Sequence, residues 1–245
     1  MPSRREPLLI IGHRGLRERY VENTIEGFTG AESEGIDGVE LDAQLSRDGK
    51  VIIFHDYDSS RLLGVNGKIY DLKYEELSKM KIKGSNEPVP TLEKILDVTS
   101  NLILFIELKT INDHFSEVNK GLEEKVVSLL NESGRKRFYL ISFNPKSLIR
   151  VKDLDPKIDT GLLIDNETLH LHNKVNSEYL RSIGVEYLLP SFELISERWV
   201  RESREGGSGI IFWNVFNYEQ AKRARESGSI GVITDFPLAI RKEMG

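Results

Sequence analysis

The sequence predicts a (β/α)8 TIM barrel with a small insertion after the second strand. Three observations carry that expectation. Eight short apolar runs alternate with amphipathic stretches, the 245-residue length suits one such barrel, and acidic, imidazole and aromatic residues fall just beyond the ends of the apolar runs. Near-continuous apolar strands separated by helices imply a parallel sheet buried on both faces. No Gly-x-Gly-x-x-Gly loop favours a doubly wound sheet instead. Residues 1–245 read as one domain, with an insertion at about 57–88.

Taken in order, Leu8–Ile11 is the first strand, and Thr24–Glu34 follows as a helix with Gly35 at its end. Val39–Leu41 is the second strand. The connection from Asp42 to Thr91 is far longer than an ordinary strand-to-helix loop. Within it, Asp48-Gly49 between two strand-like runs signals a hairpin, and Asp71 is the expected N-cap of a helix over Leu72–Met80. The helix Thr91–Val98 and the strand Leu102–Ile106 restore the alternation. Then come Glu117–Leu130 (helix), Phe138–Ile141 (strand), Pro145–Leu154 (helix), Gly161–Ile164 (strand), Ser177–Ile183 (helix) and Tyr187–Leu189 (strand). Glu197–Glu205 (helix), Ile210–Phe212 (strand), Tyr218–Glu226 (helix) and Gly231–Ile233 (strand) complete the pattern. Gly134, Gly184 and Gly228 close three of these helices as Gly35 closes the first.

Composition narrows the function. Cysteine is absent, which excludes disulfides, thiolate metal sites and cysteine nucleophiles and leaves oxygen and nitrogen ligands. A formal net charge of -5 argues against a broad nucleic-acid-binding face. No apolar run is long enough for a membrane span, and the strand after Met1-Pro2-Ser3-Arg4-Arg5 is too short for a signal-peptide core, so a soluble, cytoplasmic protein is expected. The oligomeric state stays open, a homo-oligomer included.

In a barrel, functional residues gather at the C-terminal mouth. Glu40 and Asp42 lie two apart on the second strand, so both carboxylates project from one face. Two carboxylates this close suggest a divalent cation between them, although spacing alone also fits an exposed strand end. Glu107, ending another apolar run, adds a third acid, with Lys109 on the same face. Three carboxylates without cysteine suit a hard ion, Mg2+ or Ca2+. If Asp48-Gly49 is a two-residue turn, Arg47 pairs with Lys50 and His55 lies opposite Asp42, beside these acids. His13 ends the first strand, so two histidines flank one metal and can supply a base and an acid. Arg14 offers a planar fork for phosphate oxygens and Lys109 a second positive point, the alternative for Arg14 being a surface ion pair. Phe143 and Trp213 are candidates for an apolar wall, and Glu22-Asn23-Thr24 reads either as a helix start or as a phosphate- or sugar-contacting segment. His114, His170 and His172 read as solvated.

Together these segments resemble the glycerophosphodiester phosphodiesterase family. The resemblance rests on His13-Arg14-Gly15, Glu22-Asn23-Thr24, Glu40-Leu41-Asp42, Ser46-Arg47-Asp48-Gly49, His55-Asp56, Pro90-Thr91-Leu92-Glu93, Glu107-Leu108-Lys109, Ser142-Phe143, Phe212-Trp213-Asn214 and Thr234-Asp235-Phe236-Pro237, in family order. It implies a divalent metal on Glu40, Asp42 and Glu107, His13 and His55 as the acid/base pair, and phosphate contacts from Arg14 and Lys109. Val21 stands where the family usually has proline, and Asp58–Gly64 departs from the family's usual insertion motif. The expected reaction is metal-dependent hydrolysis of a small glycerophosphodiester to sn-glycerol 3-phosphate and an alcohol. Lysophospholipase D cleavage and a noncatalytic phosphate-binding barrel are the competing readings.

Overall fold

A computed structural model describes residues 7–172 and 175–244; the basic start Met1–Arg5 and Asn173 lie outside the described residues. Among the described residues the nine strands are β1 (Leu9–Gly12), β2 (Gly38–Leu45), β3 (Val51–Ile53), β4 (Ile103–Leu108), β5 (Phe138–Ser142), β6 (Thr160–Ile164), β7 (Tyr187–Pro190), β8 (Gly209–Phe212) and β9 (Gly231–Thr234). Eight of them pair in parallel around a closed ring, because β1 hydrogen-bonds to β2 on one side and to β9 on the other. The ninth, β3, runs antiparallel along the outer end of β2. Every expected barrel strand is present.

The helices among the described residues are α1 (Ile25–Ser33), α2 (Ser60–Leu63), α3 (Tyr74–Leu77), α4 (Leu92–Val98), α5 (Leu122–Ser133), α6 (Pro145–Leu154), α7 (Ser177–Ser182), α8 (Arg198–Glu205), α9 (Tyr218–Glu226) and α10 (Pro237–Met244). Short polar side chains start five of them: Thr24, Thr91, Asn144, Asn176 and Asn217 each accept a backbone N–H of the first turn. None of these helices is long and apolar enough to cross a membrane.

Side-chain alternation along the strands separates two environments. On one face Ile11, Phe105, Ile141, Leu163, Leu189, Ile211 and Ile233 fill the barrel interior. On the other, Val39, Leu41, Leu104 and Ile106, or Leu162, Leu188, Ile210 and Val232, pack against the helices. The interior admits its large side chains by omitting others: a Cβ on Gly161 would lie 2.4 Å from Leu189 Cδ1, and one on Gly209 2.6 Å from Tyr187 Cδ1.

Three local expectations need correction. The hairpin has a three-residue loop: Ser46 N–H donates to Lys50 O at 2.9 Å, and the ladder pairs Ala43 with Ile53. The register is therefore one residue away from the Arg47–Lys50 pairing, because Gly49 takes φ 79° and adds a third loop position. Asp71 ends a 3-10 turn (Ile69–Asp71) instead of capping Leu72–Met80; only Tyr74–Leu77 is helical, and its Tyr74 N–H is accepted by Asp48 Oδ1 at 2.9 Å. Helix α5 begins at Leu122 rather than Glu117, because the preceding segment is held against the strand ends. There Asn119 Nδ2 donates to Lys109 O at 2.7 Å and Asn119 Oδ1 accepts Leu45 N–H at 3.1 Å.

The insertion has its own small core, in which Ile52 and Phe54 pack with Leu62, Ile69, Leu77, Ile82 and Val89. It thus sits as a cap beside the mouth, anchored by the hairpin.

Candidate active site

At the C-terminal ends of the strands the inward positions change from apolar to charged. His13 continues the row of Ile11, Glu107 and Lys109 continue that of Phe105, and Phe143, Trp213 and Asp235 continue those of Ile141, Ile211 and Ile233. On β2 the outward residues are Val39, Leu41 and Ala43, so Glu40 and Asp42 face in. Around these ends lies a cavity of about 350 Å³ lined by His13, Arg14, Glu40, His55, Glu107, Lys109, Phe143 and Trp213. Asp42 is buried, and Glu22 is buried behind Arg14.

Glu40, Asp42 and Glu107 each place a carboxylate oxygen within 4.8 Å of the others. Burial, then the charges of Asp42 and Glu107, push the Glu40 carboxyl well above the usual carboxylate range. Asp42 goes the other way: against the cost of burial, His55, Lys109 and Arg14 hold it well below that range. A largely buried all-oxygen cluster with one carboxyl pushed towards protonation by burial and by the neighbouring acids is a fitting set for a hard divalent cation.

The two cations expected to meet phosphate are already paired with these acids. Lys109 Nζ lies 3.5 Å from Asp42 Oδ1 and 3.4 Å from Glu107 Oε1, and 5.2 Å from the centre of the Tyr57 ring. Burial works against its charge, but Glu107 and Asp42 raise its pKa above the ordinary lysine value. Arg14 donates through its backbone N–H to Glu40 Oε2 at 3.0 Å and through Nη1 to Glu22 Oε1 at 3.0 Å. Its φ of 55° is a left-handed conformation that costs a non-glycine residue energy, and Asn23 shares it at φ 56°. The two strained residues support each other: Asn23 N–H donates to Arg14 O at 2.9 Å, and Asn23 Nδ2 donates to Asp42 Oδ2 at 2.8 Å.

Both histidines reach the cavity in the same pose. His13 Nδ1 meets Asp235 Oδ1 at 2.7 Å and His55 Nδ1 meets Asp56 Oδ1 at 2.8 Å, so each aspartate fixes its ring and leaves Nε2 for exchange. His13 Nε2 lies 3.9 Å from Glu40 Oε2. Burial lowers the His13 pKa from its ordinary value, with Asp235 opposing the shift. His55 arrives by a route the expected hairpin register does not describe. Opposite Asp42 stands Phe54, whose N–H donates to Asp42 O at 2.9 Å. The strand then ends, and Gln44 Nε2 donates to the carbonyls of Phe54, His55 and Asp56 at 2.7, 3.2 and 3.1 Å, turning the chain so that His55 faces the cavity.

Phe143 and Trp213 meet edge to face with ring centres 5.5 Å apart, and Trp213 Nε1 donates to Leu189 O at 2.7 Å, which fixes an aromatic wall. His114 and His170 are exposed, as expected. His172 is not solvated: the 3-10 turn Leu169–Leu171 folds it inward, where Nδ1 meets the Tyr179 hydroxyl at 2.9 Å.

Sequence reasoning did not assign roles to Asp56, Asp235, Gln44, Arg17 or Arg61. Adjacency in His55-Asp56 and the strand-end position of Asp235 were signals for the first two. The others act through contacts that no local spacing encodes, such as Arg17 Nη1 to Asp235 Oδ1 at 2.8 Å.

Glu22 and Asp56 also mark the acid limit of the fold. Both are held below their ordinary pKa against the cost of burial, by Arg61 and Arg14 for Glu22 and by His55 and Arg61 for Asp56. Their stabilising contribution is therefore complete above the ordinary carboxyl values of about 4 and is lost as pH falls through the lower folded values. Urea midpoints taken from pH 6 to pH 3 are expected to fall more steeply for wild type than for Asp56→Asn. Parallel lines would contradict this account.

Comparison with known proteins agrees with the geometry. The model of the glycerophosphoryl diester phosphodiesterase family matches residues 13–239. A glycerophosphodiester phosphodiesterase of Caldanaerobacter subterraneus is 30% identical over 241 residues, covering 94% of each chain. The crystal structure of a glycerophosphodiester phosphodiesterase from Thermotoga maritima is 28% identical with a TM-score of 0.79, covering 97% of this chain and 98% of that one. An Oleispira antarctica phosphodiesterase, solved in complex with the product sn-glycerol-3-phosphate, is 25% identical with a TM-score of 0.81 and 96% coverage of both chains. With the family match running from His13 at the first strand end to the start of α10, this chain belongs to the glycerophosphoryl diester phosphodiesterase family.

Proposed function

We propose that His13 and His55 carry the proton transfers in the reaction of this enzyme, hydrolysis of a glycerophosphodiester to sn-glycerol 3-phosphate and an alcohol. The observation that carries the assignment is the matched pose of the two rings, each tied at Nδ1 to an aspartate and opening into one cavity beside an acidic cluster. One histidine takes the proton of the glycerol hydroxyl next to the phosphodiester as that oxygen attacks phosphorus. The other donates a proton to the departing alkoxide. Water then opens the cyclic phosphate with the two roles exchanged.

Glu40, Asp42 and Glu107 would hold a divalent ion, Mg2+ or Ca2+ suiting their oxygen donors. When bound, the ion supplies Lewis acidity towards the phosphoryl oxygen and the glycerol hydroxyl. Arg14 and Lys109 offset charge on the remaining phosphoryl oxygens. Glu22, engaged by guanidinium groups, contributes by holding Arg14 in place rather than by touching phosphate. Phe143 and Trp213 pack against the apolar part of the substrate.

Phosphorus NMR of glycerophosphoethanolamine with the purified protein tests the reading. Glycerol 3-phosphate is expected to form, to stop forming with EDTA and to return with Mg2+ or Ca2+. Failure with both ions, other headgroups and lysolipids would favour a noncatalytic barrel. A substrate without the adjacent hydroxyl is expected to resist cleavage; unchanged turnover would replace the cyclic route by direct attack of water.

A further inference from the structure

We infer that Arg61, on α2 of the insertion, is a positioning residue that ties the cap to the proton-transfer machinery. Its guanidinium grips two carboxylates at once. Nε and Nη2 donate to Asp56 Oδ2 and Oδ1 at 2.5 and 2.9 Å, and Nη2 and Nη1 donate to Glu22 Oε1 and Oε2 at 2.6 and 3.3 Å. Those acids in turn hold His55 Nδ1 at 2.8 Å and Arg14 Nη1 at 3.0 Å. One side chain from the insertion therefore fixes the carboxylate behind an imidazole and the carboxylate behind a guanidinium of the site.

The grouping explains why a cation belongs there. Glu22, His55 and Asp56 place ligand atoms within 4.8 Å of one another, close enough for a metal. The Arg61 guanidinium bonds both carboxylates and so supplies the positive charge from within the chain. A planar fork meets two carboxylates with directed N–H groups, which a lysine ammonium does not reproduce. Arg61 is half-exposed, whereas Glu22 is buried, so the arginine bridges solvent-facing cap and buried site. With the cap displaced, Asp56 loses its bidentate partner and His55 its fixed orientation.

This inference rests on His55 as a proton-transfer residue, and the experiment separates the two. Turnover of glycerophosphoethanolamine is measured for wild type, Arg61→Ala, Arg61→Lys and His55→Ala, with and without added guanidinium, and folding is followed by thermal melting. Loss of such a supporting partner is expected to lower kcat by about 10–100-fold. Arg61→Lys should stay close to Arg61→Ala, and guanidinium should restore much of the kcat of Arg61→Ala but none of that of His55→Ala. Wild-type turnover by Arg61→Ala beside an inactive His55→Ala would overturn the inference and leave the histidine assignment intact. Full turnover by His55→Ala would overturn that assignment first. A deficit in Arg61→Ala that tracks a lowered melting temperature and ignores guanidinium would reduce Arg61 to a structural tie, also against the inference.

Discussion

Replacing His13 or His55 by alanine is expected to lower kcat by about 10²–10⁴-fold in each case, the range for a lost general acid or base. Binding should change little, since Arg14 and Lys109 at the same cavity keep their positive charges in both variants. The double variant should fall far short of the product of the two losses, because groups acting in one proton-transfer unit are not additive. The leaving group tells the two apart. With a diester whose alcohol departs as a stable anion, the variant lacking the general acid should recover much of its rate, and the variant lacking the base should not. Equal recovery would mean that the rings do not divide the labour, and near-wild-type kcat in either variant would remove that ring from the mechanism.

Loss of the divalent ion is expected to have an effect of similar size. EDTA should abolish turnover, and Asp42→Asn should weaken the ion and lower activity by more than the roughly 100-fold that loss of a mere supporting partner can cost. The variant also removes the negative charge beside Lys109 and Arg14 and leaves one acceptor oxygen where Lys109 and Asn23 Nδ2 face two, so its melting temperature must be compared with metal present and absent. Ion binding measured by calorimetry gives a readout independent of turnover. Wild-type affinity in both Asp42→Asn and Glu107→Gln would move the ion away from this cluster.

The two-residue repeat of a strand already put Glu40 with Asp42, and Glu107 with Lys109, on one face each, because successive side chains point to opposite sides; packing of the neighbouring apolar residues decided that both faces turn inward. The helix starts at Thr24 and Thr91 were equally local, each a short acceptor within a turn of the N–H group it satisfies. The hairpin was less legible. Asp48-Gly49 marked a turn but not its length, and the extra residue moved Phe54 into the place expected for His55.

What the sequence determined by itself was thus the barrel, the order of its elements and the set of charged residues at its mouth, since periodicity, caps and strand ends are properties of neighbouring residues. Only the tertiary structure decided how that set is connected. His13 meets Asp235 across 222 positions, and Arg61 meets Glu22 across 39. The presentation of His55 depends on a buried amide, Gln44, catching three carbonyls beyond a strand's end. Such contacts arise from ring closure and from the docking of the insertion, which bring together groups whose separation along the chain carries no signal of their meeting.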